Sequence, residues 1–383
     1  MKAPMIFSNA RIVLADGVRD DLEVVVERGV TAELRERSRA NSIDLRGNYL
    51  SPGFIDLHVH GAVGHDTMDA TPEAFRAICD HHATGGTTSL LLTTATAPLP
   101  EICGVLSRIR ETVNEIPQIV GAHVEGPFIS RQRPGAQRIE FIRDPDRAAT
   151  EQLLECADVI RRLTLAPELP GALDLIDNLR GAQIAISGGH SDAWDEDARA
   201  GFEHGMHHVT HTFNCMSSSR RRARERVAGL LEFALSEPEI MCELIADGHH
   251  VSPTLMKMLY RAKGAVGICL VTDATAGAGL PAGTRFQLAG RECVVDDGVC
   301  LLADGTALAG SASRMIDLVR TLVRSVGVPL HEAIQMATTN PAQALGFSHK
   351  GKIEVGASAD FTVISPDLEI AQTYLAGEEI YAR

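Results

Sequence analysis

Residues 119–128 read Ile119-Val-Gly-Ala-His123-Val-Glu125-Gly126-Pro127-Phe128. The run starts as an apolar, β-branched strand and ends on a carboxylate, a glycine and a proline. Side chains alternate across a strand, so His123 and Glu125 share one face. Gly126-Pro127 stops the ladder, because proline has no N–H to donate. Glu125 therefore stands at the C-terminal tip of an expected strand. In a parallel α/β protein, chemistry collects at that tip. Taken alone, the same glutamate reads equally well as a solvated residue capping a turn. Its company along the chain separates the two readings.

An apolar strand followed by a helix recurs on both sides of this stretch. Strands are expected at 53–60, 87–96, 119–125, 163–166, 182–190, 207–214, 240–248 and 265–273. Helices are expected among them at 71–84, 99–114, 146–160, 191–204, 227–235 and 253–263. Eight strands, most of them continuously apolar, fit a closed (β/α)8 barrel of TIM type better than an open sheet. The barrel is expected over residues 53–349. Residues 1–52 and the last segment, from 350 to 383, carry short β-branched runs, punctuated early by Asp16-Gly17 and Arg28-Gly29. The two chain ends are expected to pair into a small β-sandwich domain. A hairpin insertion is expected near 284–306, where runs at 286–288, 293–295 and 299–302 are joined by Ala-Gly and Asp-Asp-Gly turns. Helices are expected after it at 313–326 and 330–337.

Composition bounds the function. The 383 residues are 45% hydrophobic and 22% charged, an ordinary globular balance. Aromatics at 4% leave few stacking platforms for single-stranded nucleic acid, and a formal charge of −14 argues against a general nucleic-acid binder. Neither excludes an anionic small molecule held by a local basic patch. The eight cysteines are scattered, with no Cys-x-x-Cys pair, and are expected to be inert thiols in a reducing compartment. Met1-Lys2-Ala3-Pro4 opens no long apolar segment, and no run reaches membrane-spanning length. A cytoplasmic protein with no membrane partner is expected.

Ligand-type residues gather at the strand ends. His58-Val-His60 closes the first strand, and at i,i+2 both imidazoles face one side, the barrel mouth. His190 ends the fifth in Ser-Gly-Gly-His, His211 lies in the sixth, and Asp273 ends the eighth in Leu-Val-Thr-Asp-Ala. With Glu125 these are imidazoles and carboxylates suited to Zn²⁺ or Fe²⁺. One such histidine is more often a satisfied core residue. Four histidines and two acids at one level of a barrel are hard to explain by packing, because each buried polar group needs a partner. A divalent metal site is expected. His123 lies below Glu125 and reads as a supporting residue. His207 and His208 start the sixth strand, at the wrong end. His65, His81, His82, His204, His331 and His349 read as surface or helix residues. One of His249 and His250, which end the seventh strand, is placed to reach a substrate.

In combination, His-Val-Glu-Gly-Pro-Phe, Ser-Gly-Gly-His-Ser, Thr-His-Thr-Phe-Asn-Cys-Met, Ala-Asp-Gly-His-His, Val-Thr-Asp-Ala-Thr and Leu-Ala-Gly-Ser resemble the N-acetylglucosamine-6-phosphate deacetylases of the amidohydrolase superfamily. The likeness runs from about residue 45 to the C-terminus. Asn340-Pro341-Ala342 and Gly351-Lys-Ile-Glu-Val-Gly-Ala-Ser-Ala-Asp360 are similar to the superfamily's usual ending. The resemblance implies hydrolysis of the N-acetyl amide of an amino-sugar phosphate, N-acetylglucosamine 6-phosphate first, to glucosamine 6-phosphate and acetate. It implies that Glu125, His190 and His211 hold the hydrolytic metal, zinc or iron. His58 and His60 would supply a second position that some members lack, giving one or two ions per chain. Asp273 would be the catalytic acid and base, and His250 would hydrogen-bond the substrate near the scissile amide. Asn214 and Cys215 would offer their backbone to the sugar phosphate, and Leu308 would contact the substrate. Many amidohydrolases place a carbamylated Lys on strand four. Here that strand reads Leu-Thr-Leu-Ala-Pro-Glu, and the resemblance implies that Glu125 takes over the metal-bridging or binding role.

Two departures stand out. Gly135-Ala136-Gln137 replaces the family's Gly-Ala-His or Gly-Thr-His. Arg220-Arg-Arg-Ala-Arg-Glu-Arg226 replaces a single phosphate-binding Arg before Glu-Pro-Gly. Arg224, before Glu225, is the best match, and by resemblance it reaches a neighbouring subunit's site in a homodimer. The run is otherwise readable as a solvated face. Both departures are expected to touch substrate recognition and leave metal chemistry alone. Three alternatives stay open. One is a deacetylase for another N-acyl amino sugar, such as N-acetylgalactosamine 6-phosphate or an unphosphorylated sugar. Another is a deaminase or cyclic amidase, weakened by the missing strand-four Lys. The last is a non-catalytic metal-binding barrel, weakened by Asp273 beside His190 and His211.

Overall fold

Eight parallel strands pair in chain order at the centre of the molecule: Phe54–Val59, Thr87–Thr94, Ile119–Glu125, Ile160–Leu165, Ala185–Gly188, Met206–Val209, Met241–Leu244 and Ile268–Leu270. They are numbered one to eight below. The structure, a computed structural model, describes residues 3–37, 42–288 and 290–383. Met1, Lys2 and residues 38–41 of the expected small domain, and Ala289 of the expected Ala-Gly turn, lie outside the described residues.

The ends of strands one and eight are stitched together. Val59 bridges Ala274 in parallel, the Asp273 N–H donates to the His58 carbonyl at 3.0 Å, and the His60 N–H donates to the Ala274 carbonyl at 2.8 Å. This closes the sheet into the expected TIM-type barrel. Strands one and two are buried at every position, because side chains fill the barrel inside and helices cover it outside. Those helices are α1 Pro72–Ala83, α2 Leu99–Thr112, α3 Arg147–Leu154, α4 Ala172–Gly181, α5 Asp195–His204, α6 Leu230–Ser236 and α7 Pro253–Lys263. In α1 the Thr71 hydroxyl accepts the Ala74 N–H, Pro72 opens the first turn, and Phe75, Ile78 and Cys79 form the buried stripe. His82, on the same helix, is also fully buried. Burial lowers its pKa to about 3.

Strands five, six and eight are shorter than their apolar runs suggested. His190, His211 and Asp273 have φ of 46°, 31° and 49°, in the left-handed region. A ladder cannot pass through such a residue, so these strands stop two or three residues earlier. The expected positions of His190 and Asp273 at strand ends, and of His211 within a strand, are corrected on this point. Strand four differs the other way and starts at Ile160. Its Arg161-Arg162 pair looks polar in sequence, yet Arg162 is fully buried inside the barrel.

Strands from both chain ends form two further sheets. The six-stranded one runs Glu378–Ala382, Ile370–Leu375, Phe361–Ile364, Tyr49–Pro52, Arg11–Leu14, Gly17–Arg19, and the four-stranded one runs Val30–Glu36, Leu22–Glu27, Met5–Ser8, Ile43–Asp44. Phe7, Ile12, Val24, Leu50 and Phe361 fill the space between them, with Phe7 edge-on to Phe361 at 5.7 Å. The hairpin region has four antiparallel strands, Arg285–Leu288, Arg291–Asp296, Val299–Leu302 and Leu308–Ser311. The fourth, Leu-Ala-Gly-Ser, has little β propensity and escaped the sequence reading. Barrel contacts hold it: the Ser311 N–H donates to the Asp273 carbonyl at 2.9 Å, and its hydroxyl to the Thr272 carbonyl at 2.5 Å. The expected helix at 313–326 is an α-helix, Met315–Thr321, running into a π segment, Leu322–Val326.

Candidate active site

At the C-terminal mouth of the barrel, four imidazoles turn their Nε2 atoms toward one carboxylate. Glu125, the last residue of strand three, places Oε1 3.2 Å from His211, 3.3 Å from His190 and 3.5 Å from His58. Its Oε2 lies 3.1 Å from His60 Nε2. The Nε2 atoms of His58 and His60 are 3.1 Å apart, as are those of His190 and His211. Asp273 Oδ1 stands 3.3 Å from His58 Nε2 and 3.5 Å from His60 Nε2. The groups His58, His60, Glu125 and Glu125, His190, His211 each bring ligand atoms within 4.8 Å of one another, and all five residues are buried.

The donor chemistry fits a cation. His190 Nδ1 lies 2.9 Å from the Arg133 carbonyl, which only accepts, so the ring proton sits on Nδ1 and Nε2 presents a lone pair. Facing lone pairs at such distances repel unless a positive charge lies among them. Burial alone would raise the Glu125 pKa, but the His58 and His190 rings, which are pushed toward their charged form when no metal ion holds them, outweigh it and hold the carboxyl well below the usual range, and a cation among these atoms would act in the same sense. The anion is thus present at neutral pH to meet a metal. A His/carboxylate set of this kind suits zinc or iron.

The same mouth gathers the other expected residues unequally. Gln137, Asn214, His250, Leu308 and Asp273 line one cavity with His60, Glu125, His190 and His211. His250 Nδ1 is 2.7 Å from Asp247 Oδ2, which leaves Nε2 free to face the cavity, while His249 is exposed. Burial works against a charged His250, but Asp247 outweighs it and raises its pKa. Cys215, with φ 49°, packs beside Gly135 and His190. A Cβ on Gly135 would come within 2.6 Å of the Cys215 sulfur, so only glycine fits there. Gly310 is similar: with φ 73°, an added Cβ would lie 2.6 Å from the Asp273 carbonyl.

Gln137 requires a correction. It was expected to touch substrate recognition only. Its Nε2 donates to Glu125 Oε2 at 2.7 Å, and its Oε1 accepts the Thr96 N–H at 2.7 Å. The departure at this position therefore bears on a ligand-type carboxylate. Arg224 is the other outlier. The arginine run folds into a hairpin, Arg220–Arg222 against Glu225–Val227, and Arg224 stands exposed in its turn, outside the cavity of its own chain. Arg220 and Arg222 instead face Trp194 at 3.9 and 4.8 Å.

Three buried supports escaped the sequence reading. Glu243 on strand seven pairs with Arg162 on strand four at 2.7 Å. Asp56 on strand one accepts the Thr272 hydroxyl at 2.6 Å, and burial raises its pKa to about 7. The available signal was a lone carboxylate in each of two apolar runs, since buried acids are rare without partners. His123 is held by Thr93 at 3.3 Å and Thr164 at 2.8 Å, below the metal-type cluster as expected.

The chain is similar to known proteins over nearly its whole length. The pattern of the amidohydrolase family matches residues 49–380. An N-acetylglucosamine-6-phosphate deacetylase of Lysinibacillus sphaericus is 33% identical over 97% of each chain. An N-acetylgalactosamine-6-phosphate deacetylase of Escherichia coli O157:H7 is 34% identical, covering 96% of this chain and 97% of its own. The crystal structure of N-acetylglucosamine-6-phosphate deacetylase from Pasteurella multocida superposes with a TM-score of 0.93 at 33% identity, over 100% of both chains. With the closed barrel and the His/Glu cluster at its mouth, these matches make the chain a member of the amidohydrolase family, metal-dependent hydrolases of carbon–nitrogen bonds.

Proposed function

We propose that this hydrolase removes the acetyl group from N-acetylglucosamine 6-phosphate, giving glucosamine 6-phosphate and acetate. The observation that carries the reading is the Glu125 carboxylate between two imidazole pairs, with Asp273 3.3 Å from His58 in the same cavity. Glu125, His190 and His211 would hold the hydrolytic metal, zinc or iron, and His58 and His60 a second. When bound, the metal supplies Lewis acidity, polarising the amide carbonyl and lowering the pKa of water. Asp273 takes the proton of the attacking water on its carboxylate and hands it to the leaving nitrogen. His250, oriented by Asp247, donates from Nε2 to the amide oxygen as negative charge develops there. Asn214 and Cys215 meet the sugar phosphate through their backbone, and Leu308 and Gln137 shape the sugar site.

Arg224 is exposed and does not line its own cavity, which favours a homodimer in which it serves the partner's substrate phosphate. Among the described residues no helix is long and apolar enough to cross a membrane, in keeping with a cytoplasmic reading. Residues 1–52 with 350–383 are read as one small β domain beside the barrel of 53–349.

A second substrate is supported by one finding: the galactosamine-type relative is 34% identical, as close as the glucosamine-type relative at 33%. Acetate release from N-acetyl sugars of gluco and galacto configuration, with and without the 6-phosphate, tests both. The expected order puts the gluco 6-phosphate first. A faster galacto 6-phosphate would transfer the assignment to the epimer, and no acetate from any of them would overturn the reaction.

A further inference from the structure

Glu243 is fully buried in the strand Met-Cys-Glu-Leu, where the neighbouring side chains are apolar. A carboxylate in that position needs partners. Arg162, itself fully buried, places Nη2 2.7 Å from Oε1 and also donates to the Ser187 hydroxyl at 2.9 Å. The His211 N–H donates to Oε2 at 3.1 Å. The same Oε2 lies 3.5 Å from His58 Nδ1, longer than a formed hydrogen bond, and buried Nδ1 makes no other hydrogen bond among the described residues, so this carboxylate is the acceptor it faces. His123 packs edge-on to the His58 ring at 4.6 Å. The other ring nitrogen, Nε2, is the one turned toward His60 and Glu125.

A neutral imidazole carries one proton. A carboxylate only accepts, so Glu243 draws that proton to Nδ1. We infer that Glu243, held by Arg162, is a positioning residue that fixes His58 with its Nε2 lone pair toward the metal position formed with His60 and Glu125. Through the His211 backbone it also touches the other metal position, so one carboxylate braces both. Strand four contributes Arg162, the cation that keeps Glu243 in place. The inference rests on the two-metal reading above and not on the identity of the substrate.

Zinc titration of the full-length protein in chelator-buffered solution tests it, with no substrate present. In Glu243→Gln the amide oxygen stays with Arg162, which only donates. The amide N–H₂ then faces His58 Nδ1 and drives the ring proton to Nε2. Wild type is expected to bind two equivalents. The equivalent held by His58 and His60 should weaken by about 10–100-fold in the variant, the usual effect of removing a partner behind a metal ligand, and the one held by His190 and His211 by less, through the lost acceptor of the His211 N–H. Glu243→Asp keeps the counter-charge of Arg162 but draws back from His58, and should weaken the same equivalent if the glutamine variant fails to fold. Two equivalents in wild type and variants alike, within twofold in affinity, would overturn the role of Glu243. A wild type that binds only one equivalent would overturn it together with the second metal position. Neither result depends on which sugar is cleaved.

Discussion

The Gln137 side-chain amide is locked between the Thr96 N–H and Oε2 of Glu125, each at 2.7 Å. Its orientation is unambiguous, because the N–H of Thr96 must meet the amide oxygen and the carboxylate must meet the amide nitrogen. Gln137→Ala removes the donor from Glu125 and leaves a buried N–H unpaired. Metal affinity and kcat are expected to fall by about 10–100-fold. Chelator competition and steady-state kinetics check this together. A rise in KM with unchanged metal affinity would return Gln137 to a role in sugar binding alone.

Asp273→Asn separates proton transfer from metal holding. Asparagine tolerates the left-handed φ of 49° at this position, so the backbone should survive. One proton transfer is worth about 10²–10⁴ in rate, and Asp273 is assigned two. kcat is expected to drop by about 10³ or more with metal content unchanged. A variant retaining a tenth of the wild-type rate would remove Asp273 from the proton path.

Arginines of the 220–226 run should behave differently from one another. Arg220 holds Asp192 at 3.1 Å and Arg222 pairs with Glu196, and both lie over Trp194, so losing either disturbs the loop itself. Arg224→Ala should instead cost only the phosphorylated substrate. A charge-assisted contact is worth about 1.5–3 kcal/mol, or roughly 10–100-fold in kcat/KM. Because remote binding energy also orients the amide, part of the loss should fall on kcat. Equal effects on phosphorylated and unphosphorylated sugars would mark Arg224 as a solvated residue.

Acid stability should report on His82 and His208. Burial lowers the pKa of each to about 3. The unfolded chain, with ordinary histidines near 6.5, binds more protons between those values. Stability is therefore complete above about pH 6.5 and declines as pH falls toward 3. Each histidine should account for about 2 kcal/mol of the loss between pH 7 and pH 5. Urea unfolding of wild type and His82→Leu at both values measures the difference. Identical losses in the two proteins would contradict it.

The barrel and most of the site were legible because their signals are local. A continuously apolar strand ending in Glu-Gly-Pro, a His-x-His pair at i,i+2 and short motifs at successive strand ends each state their chemistry within a few residues. Periodicity placed Glu125, His58 and His60 on their faces. It overextended strands five, six and eight, because a left-handed φ at His190, His211 and Asp273 leaves no trace in hydrophobicity. Strand position alone left His249 and His250 open and the family resemblance pointed to His250; the fold adds the physical reason, since Asp247 captures that ring and the other stays in solvent.

What tertiary structure alone decided are the partnerships between distant strands. Arg162 and Glu243 carry no local signal of a partner, and each is buried because the other neutralises it across the barrel. Gln137 lines the cavity, as a substrate contact would, and also grips Glu125. Sequence fixes which groups a chain carries and, through alternation, which face they leave by. Whether a charge can be buried depends on the dielectric and the counter-charge around it, and those are set by residues tens of positions away that meet only when the barrel closes.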